Sequence, residues 1–386
     1  MKINGSGIFM SNKFRVYATC HIGDAAENLL REKGYELDIY PGPEAPPKQM
    51  IVEKVRGVDG LITTLRDPID AEVFEAGKGT LKVVSQLAVG FDNINRADAN
   101  HYKVPITNTA EVLNDATAEF AFLMMGTLAR RMWDSEKMVR EQKWGAWHPF
   151  LPFLGDEISG KTIAVLGTGR IGLALIKKCL GFDMNVLCYD PVYQNERFVT
   201  STQLLMDLRY QFEMVKEKHW IKYVGLEDAL RQADYVSLHV PLIRAGEGST
   251  PTYHMINERT LKLMRKEAYL INAARGPVVD EHALARALKE RWIAGAALDV
   301  FEKEPLAADS PLLDPEIEDR CRLFHHFASA GRITRLSTDP EKGMAGRCIQ
   351  GLMDVLEGNY GGDITRMPYV VNKEAWTSAG VHGEGI

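Results

Sequence analysis

Residues 161–191, KTIAVLGTGRIGLALIKKCLGFDMNVLCYDP, decide the fold of this chain. An apolar run at 163–166 leads into a glycine-rich turn with the spacing GxGxxG at 167–172, and a helical pattern follows. A second apolar run at 186–189 ends at Asp190. A strand, a glycine-rich turn, a helix and a second strand that ends in an acid are typical of a βαβ unit that binds a dinucleotide.

Each glycine of this turn has a separate physical task. Gly167 permits the tight turn, Gly169 lets the backbone approach a pyrophosphate, and Gly172 lets the helix pack on the strand. The pyrophosphate then lies at the helix N-terminus, where free N–H groups and the helix dipole favour negative charge. We therefore predict cofactor contacts from Gly167, Thr168, Gly169, Arg170, Ile171 and Gly172.

Asp190 follows Gly172 by 18 positions, which suits the acid that binds the adenosine ribose. Its carboxylate would accept hydrogen bonds from the ribose hydroxyls and repel a 2′-phosphate. The expected cofactor is therefore NAD rather than NADP. The alternative is a structural glycine turn in an unrelated α/β protein.

The length and composition are those of an ordinary globular protein. A chain of 386 residues exceeds the usual limit for one hydrophobic core and predicts two domains. The formal net charge of -6 and the lack of a Lys/Arg-rich run give no reason to expect a nucleic-acid partner. No apolar run approaches the roughly 18 residues of a transmembrane helix, so we expect no membrane partner.

The five cysteines are scattered along the chain and never spaced as CxxC. They are Cys20, Cys179, Cys188, Cys321 and Cys348. This pattern predicts free thiols in a reducing compartment, the cytoplasm, and no bound metal. The N-terminal stretch MKINGSGIFMSNKF lacks the apolar core of a signal peptide and predicts a disordered lead-in.

Short strand-like runs alternate with helical segments, which predicts an α/β fold with parallel sheets. The runs FRVYATC, YELDIY, DGLITT, LKVVSQLA and PITNT form one small unit over roughly residues 12–112. A second unit has predicted strands at 163–166, 186–189, 235–240, 268–274, 295–301 and 322–326. Between the units, residues 117–144 predict one helix about 40 Å long that connects two domains. A last helix near 341–357 is expected to pack back on the first unit.

Three positions that can carry chemistry follow strands of the second unit. Arg275 follows one strand, Glu304 another, and the pair His325-His326 the last. Ligands of open α/β sheets bind outside the carboxyl ends of the strands, so these side chains should converge. Taken singly, they have plain structural alternatives, namely a surface ion pair, a solvated acid and a core histidine.

A substrate with a carboxylate beside a carbonyl would use all three positions. Arg275 would hold the carboxylate with its planar fork. A histidine would donate a proton to the carbonyl oxygen, and Glu304 would orient that histidine and keep it charged. The nicotinamide would supply the hydride.

The chain resembles the D-isomer-specific 2-hydroxyacid dehydrogenases over roughly residues 15–375. The matching segments are LAVGFDNIN (87–95), ITNTAEVLNDATAEFAF (106–122), WGAWHPFLPFLGDEISGKTIAVLGTGRIG (144–172), DYVSLHVPL (234–242), LINAARGPVVDEHALARAL (270–288), GAALDVFEKEP (295–305) and HHFAS (325–329). The WxxW and AVGFDN segments are most similar to the glyoxylate/hydroxypyruvate reductase branch. The resemblance implies an NAD-dependent oxidoreductase that interconverts a D-2-hydroxy acid and a 2-keto acid.

The family resemblance also implies an architecture. It has two Rossmann-like, doubly wound domains with parallel sheets, with the active site in the cleft between them. Residues 1–114 and 335–386 are the expected substrate-binding domain, and residues 115–334 the expected NAD-binding domain. The family usually forms a homodimer through the coenzyme domain.

Single residues inherit roles from the resemblance. Arg275 matches the family arginine that binds the substrate carboxylate and ketone, and Glu304 matches the acid that supports the catalytic histidine. Backbone N–H groups of the segment that matches Val89-Gly90 contact the carboxylate. The other implied positions are Ala88 at the substrate, and Thr117, Val240, Pro241, Ala273 and Asp299 at the cofactor.

The family has Pro-His where this chain has His325-His326. By register His326 matches the catalytic histidine, because residues 327–329 match the small residues that follow it. We expect both histidines on a strand with their side chains on opposite sides, so that both cannot face the nicotinamide equally. His326 is therefore the predicted acid/base, and a nearby Glu304 should favour its charged form.

Three further points remain open from the sequence. Residues 194–223 resemble an insertion in which apolar residues at 204, 205, 208, 212 and 215 predict an added amphipathic helix. Trp147 either packs at the dimer interface or reaches the partner subunit's active site. A non-catalytic, NAD(H)-sensing scaffold similar to the corepressors that resemble this family is the alternative function, and turnover of any 2-keto acid would separate the two.

Overall fold

The computed structural model describes residues 14–149, 153–191, 219–246 and 250–377. The predicted N-terminal lead-in up to Lys13 and the predicted amphipathic helix through 204–215 lie outside these residues. The chain forms two compact units. Unit 1 comprises Met1–Leu113 and Ala330–Ile386, and unit 2 comprises Asn114–Ser329.

Unit 1 is built on a five-stranded parallel sheet in the order β2-β1-β3-β4-β5. Its strands are β1 Arg15–Ala18, β2 Glu36–Ile39, β3 Gly60–Thr63, β4 Val83–Gln86 and β5 Ile106–Thr107. Its helices in the described residues are α1 Asp24–Glu32, α2 Lys48–Lys54, α3 Ala71–Ala76 and α4 Arg96–His101, followed after the chain returns from unit 2 by α11 Arg332–Leu336 and α12 Met344–Leu356.

Helices cover both faces of this sheet. Successive strand residues point to opposite sides, and apolar residues on each side are buried against helices. Tyr17 and Leu61 are buried on one face with residues of α2 and α3. Val16 and Ile62 are buried on the other face with residues of α12. Strands buried on both faces are apolar over most of their length, and short runs such as GLIT at 60–63 are typical of this sheet.

Unit 2 is built on a seven-stranded parallel sheet in the order β12-β11-β10-β9-β6-β7-β8. Its strands are β6 Thr162–Leu166, β7 Asn185–Tyr189, β8 Ile221–Tyr223, β9 Tyr235–Leu238, β10 Tyr269–Asn272, β11 Gly295–Leu298 and β12 Cys321–Leu323. Its helices in the described residues are α5 Asn114–Ala129, α6 Met132–Arg140, α7 Arg170–Leu180, α8 Leu226–Gln232, α9 Glu258–Leu261 and α10 Glu281–Lys289.

The strand order of unit 2 reverses between β6 and β9. In doubly wound sheets this switch point opens a crevice at the carboxyl ends of the strands, where ligands bind. The prediction of two doubly wound α/β regions with parallel sheets is confirmed. The short strand β8 was not predicted.

The predicted single helix over 117–144 is wrong. The structure has two helices, α5 and α6, and Arg131 between them is in the left-handed region at φ 48°. In a continuous helix the Ala129 carbonyl would accept an N–H four residues on, but it accepts the Asp156 N–H at 2.8 Å. Residue 155 permits this approach because it is glycine, whose Cβ would lie 2.8 Å from the Ala129 oxygen. Helix α5 thus ends inside unit 2, packed on α7.

The last strand is shorter than the predicted run at 322–326. It ends at Leu323, and His326 has a φ of 58°, in the left-handed region that histidine enters more readily than most residues. The prediction that both histidines lie on a strand is therefore wrong. The choice between His325 and His326 has to rest on their side-chain contacts instead.

The cysteines and helices bear on two other expectations. All five cysteines carry free thiols. Burial raises the pKa of four of them, Cys179, Cys188, Cys321 and Cys348, to about 12, which leaves them unreactive. Across the described part of the chain, none of the helices is long and apolar enough to cross a membrane.

Candidate active site

Most of the predicted site residues follow the carboxyl ends of the strands of unit 2, which lie along one edge of its sheet. Residues 167–172 follow β6 or begin α7, Asp190 follows β7, Val240 and Pro241 follow β9, Ala273 and Arg275 follow β10, Asp299 and Glu304 follow β11, and His325 and His326 follow β12. Two sets lie elsewhere. Thr117 is buried in the first turn of α5, and Ala88, Val89 and Gly90 follow β4 in unit 1.

The glycine-rich turn after β6 is closely packed on one side and open on the other. Gly167 has φ 103°, and a Cβ there would lie 2.5 Å from the His239 carbonyl carbon. A Cβ on Gly172 would lie 2.0 Å from the Gly167 oxygen, whereas a Cβ on Gly169 would meet no atom within 4 Å. The free space beside Gly169 lies at the N-terminus of α7, where a pyrophosphate can approach the backbone.

Asp190 is anchored to the same turn. Its Oδ2 accepts hydrogen bonds from Thr168 N at 2.6 Å and from Thr168 Oγ1 at 3.1 Å. From β8, the Tyr223 hydroxyl donates to the main-chain oxygen of Asp190 at 3.1 Å. A carboxylate is thus held beside the open side of the turn, as the ribose-binding acid of a dinucleotide site requires. These residues fit a bound NAD.

His326 and Glu304 are hydrogen-bonded to each other. His326 Nδ1 lies 2.9 Å from Glu304 Oε2, and the two side chains are 34% and 35% exposed. Burial raises the pKa of Glu304, but the hydrogen bond and charge of His326, the Phe301 N–H and the charge of Arg275 outweigh burial and leave the pKa below its usual value. The lowered pKa of Glu304 thus depends on its contact with His326 and on the nearby charge of Arg275.

His325 has different surroundings. It is exposed, and its ring centroid lies 5.1 Å from that of Phe327. Of the two histidines, the one with a carboxylate partner at the edge of the sheet is therefore His326.

Asp299 holds the turn that carries His326. Its main-chain oxygen accepts the His326 N–H at 2.8 Å. Its carboxylate accepts the N–H groups of Phe327 at 2.6 Å and Ala328 at 2.8 Å. Burial raises the pKa of Asp299 against the opposing effect of these two amides and of His326. Asp299 thereby fixes the left-handed turn and the position of the imidazole.

The loop that carries Arg275 is fixed by the last residue of β10. Asn272 Nδ2 donates to the Arg275 main-chain oxygen at 3.0 Å, and Asn272 Oδ1 accepts the Ala274 N–H at 3.0 Å. Gly276 contacts the following loop directly, since a Cβ there would lie 1.8 Å from the Phe301 carbonyl carbon. The backbone carrying Arg275 is thus packed against the loop that leads to Glu304.

Two acids that the sequence analysis did not single out fasten the same loops. Glu302 N donates to Glu281 Oε1 at 2.7 Å, and Glu281 N donates to Glu302 Oε1 at 3.1 Å. His254 Nε2 lies 3.1 Å from Glu302 Oε1. Burial raises the pKa of Glu281. In the sequence Glu281 resembles an acid in the first turn of a helix and Glu302 a solvated loop acid, and no local pattern shows that they face each other.

Comparison with known proteins gives a consistent result. Residues 122–328 match the family described as D-isomer specific 2-hydroxyacid dehydrogenase, NAD binding domain. The glyoxylate reductase of Korarchaeum cryptofilum is 42% identical over 324 residues, which cover 84% of this chain and 89% of that protein. The glyoxylate reductase of Thermococcus litoralis is 37% identical over 371 residues, 95% of this chain and 99% of that protein.

Solved structures agree with this result. The crystal structure of the TT0316 protein from Thermus thermophilus is 33% identical with a TM-score of 0.76, and the match covers 93% of this chain and 100% of that one. The D-lactate dehydrogenase from Aquifex aeolicus, solved in complex with NAD and lactic acid, is 26% identical with a TM-score of 0.70 over 90% of this chain and 97% of that one.

The chain belongs to the D-isomer specific 2-hydroxyacid dehydrogenase family. It is an NAD-dependent oxidoreductase, and its substrate is a small 2-hydroxy acid or 2-keto acid. The predictions of this family, of an enzyme and of NAD as the cofactor are confirmed. The comparisons give no support to the alternative of a non-catalytic scaffold.

Replacing Gly169 and Gly172 by alanine should separate cofactor binding from folding. In Gly169→Ala the methyl group enters open space at a backbone φ of -67°, so stability should stay near wild type while affinity for NADH falls by about tenfold or more. In Gly172→Ala the Cβ would lie 2.0 Å from the Gly167 oxygen, so Tm should fall by several degrees. Scanning fluorimetry and NADH fluorescence titration measure the two effects. Unchanged NADH affinity in Gly169→Ala would contradict this placement of the pyrophosphate.

Proposed function

We propose that the chain is a glyoxylate/hydroxypyruvate-type reductase that uses NADH to convert a short 2-keto acid to its 2-hydroxy acid. The observation that carries the proposal is the 2.9 Å contact between His326 and Glu304, at the sheet edge that also holds Arg275 and the glycine-rich turn. The choice of glyoxylate is supported by the names of relatives that match most of the chain.

Three side chains carry the proposed chemistry. Arg275 binds the substrate carboxylate and ketone through its planar guanidinium. His326 is held through Nδ1 by Glu304, so its Nε2 is the atom that donates a proton to the ketone oxygen. Glu304 orients the imidazole through the hydrogen bond to Nδ1. NADH supplies the hydride when it is bound.

We further assign the cofactor to unit 2. The glycine-rich turn holds the pyrophosphate and Asp190 the adenosine ribose. The other proposed cofactor positions are Thr117, Val240, Pro241, Ala273 and Asp299. The proposed substrate positions in unit 1 are Ala88, Val89 and Gly90. The backbone N–H groups of Val89 and Gly90 suit the carboxylate, because amide donors stabilise an anion without adding charge.

A panel of 2-keto acids tests the function. Glyoxylate, hydroxypyruvate, pyruvate, phenylpyruvate and 2-ketogluconate are offered with NADH or NADPH, and oxidation of the cofactor is followed by absorbance. Glyoxylate and hydroxypyruvate should give the highest kcat/KM, and NADH should be preferred because Asp190 repels a 2′-phosphate.

The variant Arg275→Lys tests the role of the guanidinium on the same panel, since lysine keeps the positive charge but loses the bidentate fork. Its kcat/KM should fall sharply for every keto acid while NADH affinity stays near wild type. A preference for NADPH in the wild type, or best turnover of phenylpyruvate, would contradict the proposal.

We also propose a homodimer formed through unit 2 and located in the cytoplasm. Exposed large apolar side chains lie on and after α6, where Met132 is 58%, Trp133 57%, Trp144 62% and Trp147 82% exposed. Several large apolar side chains exposed within one segment support an interaction site there. The five free thiols suit a reducing compartment.

The oligomeric state and the role of Trp147 can be tested together. The chain should sediment as a dimer at micromolar concentration, and a monomer would contradict the proposed interface. In Trp147→Ala, altered selectivity across the keto-acid panel would place the indole at the partner subunit's active site. Unaltered selectivity in a dimeric variant would assign Trp147 to interface packing.

A further inference from the structure

In the loop 88–91 of unit 1, three successive main-chain carbonyl groups accept hydrogen bonds. Ala88 O accepts the Thr109 N–H at 3.0 Å. Val89 O accepts from Asn108 Nδ2 at 2.8 Å. Gly90 O accepts from Gln86 Nε2 at 3.0 Å. Three successive carbonyls are therefore directed to one side, toward the ends of β4 and β5.

This bonding also fixes where the N–H groups of the loop point. Among the described residues the only cis peptide is Glu304–Pro305, so the peptides of this loop are trans. In a trans peptide the C=O and the N–H that follows it point in opposite directions. The N–H groups of Val89, Gly90 and Phe91 are thus turned away from Asn108 and Gln86. Within the described residues, none of these three N–H groups donates to a protein acceptor.

Gln86 and Asn108 are themselves held rigidly. Gln86 is fully buried, and its Nε2 also donates to Asn93 Oδ1 at 2.8 Å. Asn93 Nδ2 in turn donates to the Thr64 and Asp67 main-chain oxygens at 2.9 and 2.7 Å, so the direction of each amide in the chain of bonds is set. Asn108 is 7% exposed, and its own N–H is bonded to Tyr369 O at 3.3 Å.

The orientation of the Gln86 amide leaves its own oxygen without a hydrogen bond. Its Oε1 is buried without a partner in the described residues. A flipped amide would present Oε1 to Gly90 O and Asn93 Oδ1, which are both acceptors, and two hydrogen bonds would be lost. The orientation that leaves Oε1 unpaired is therefore the one that ties down Gly90 O.

We infer that Asn108 and Gln86 are positioning residues for the substrate. By holding the carbonyls of Val89 and Gly90, they aim the successive N–H groups of Gly90 and Phe91, next to that of Val89, at the carboxylate of the 2-keto acid. Successive backbone N–H groups form a concave site for an anion. The inference deepens the proposed function and rests on it, because it takes that carboxylate as the ligand of the loop.

The variants Asn108→Ala and Gln86→Met test this assignment, since each removes one amide donor and leaves its carbonyl free to rotate. Each variant should raise the KM for glyoxylate by about tenfold or more and leave kcat within about twofold, as loss of uniform binding does. The Kd of oxamate, which carries the carboxylate but takes no hydride, should rise by a similar factor in the enzyme–NADH complex. NADH affinity should not change.

Asn372→Ala is the matched control. Asn372 is fully buried in the same unit, but its hydrogen bonds go to Asn100, Val104 and Ile106. Its loss should lower Tm without changing the KM for glyoxylate or the Kd of oxamate. If Asn108→Ala does not fold, Gln86→Met carries the test.

Two results would overturn the assignment. One is a KM and an oxamate Kd within about twofold of wild type in the folded variants. The other is an equal rise of both constants in Asn372→Ala. The proposed function is tested separately on the wild type, where a lack of turnover with every 2-keto acid would contradict it. Even in that case, weaker oxamate binding in the variants than in the wild type would still support the anion site.

Discussion

The hydrogen bond between His326 Nδ1 and Glu304 Oε2, at 2.9 Å, is the contact on which the proposed chemistry at the edge of unit 2 depends. Both side chains are about one-third exposed, and ion pairs at that exposure contribute at most about 1 kcal/mol. The pair therefore cannot hold its own geometry. The loops hold it, through Asp299 beneath the turn of His326 and through the reciprocal bonds of Glu281 and Glu302 beside Glu304.

The acids along this edge differ in the direction of their pKa shifts. Burial raises the pKa of Asp299 and of Glu281, whereas for Glu304 the hydrogen bond and charge of His326 outweigh burial and lower the pKa. Environments that push titratable groups apart assign them different tasks. Glu304 is the acid paired with the imidazole, and the other two serve chiefly as acceptors for backbone N–H groups.

The parts of the fold and site that could be predicted from sequence are those with a local signature. The spacing of the glycines is enough to predict the glycine-rich turn. The position of Arg275 and Glu304 after predicted strands is enough to predict the edge of the sheet at which they lie. The parts that could not be predicted depend on residues far apart in sequence. Helix α5 ends where the Asp156 N–H donates a hydrogen bond to the Ala129 carbonyl. Neither Asp156 nor Ala129 is a residue type that predicts the end of a helix there.

The conformation of His326 also depends on a residue that is distant in sequence. The family register predicts His326 as the acid/base, but strand alternation does not apply to this residue, because Asp299, 27 positions away, holds the chain in a left-handed turn. The reciprocal bonds of Glu281 and Glu302 were missed for the same reason. Carboxylate bonds to distant backbone N–H groups leave no periodicity in a sequence.

The measurement that tests the account most directly is a double-mutant cycle on His326 and Glu304, read as kcat/KM for glyoxylate. His326→Gln should lose on the order of 10²–10⁴-fold, the usual worth of general acid–base catalysis. Glu304→Gln should lose activity in the wild-type background and almost none in the His326→Gln background, because the acid acts through the histidine. His325→Pro, the control, should stay near wild type. Losses that multiply in the double variant would contradict the account, since His326 and Glu304 would then act independently.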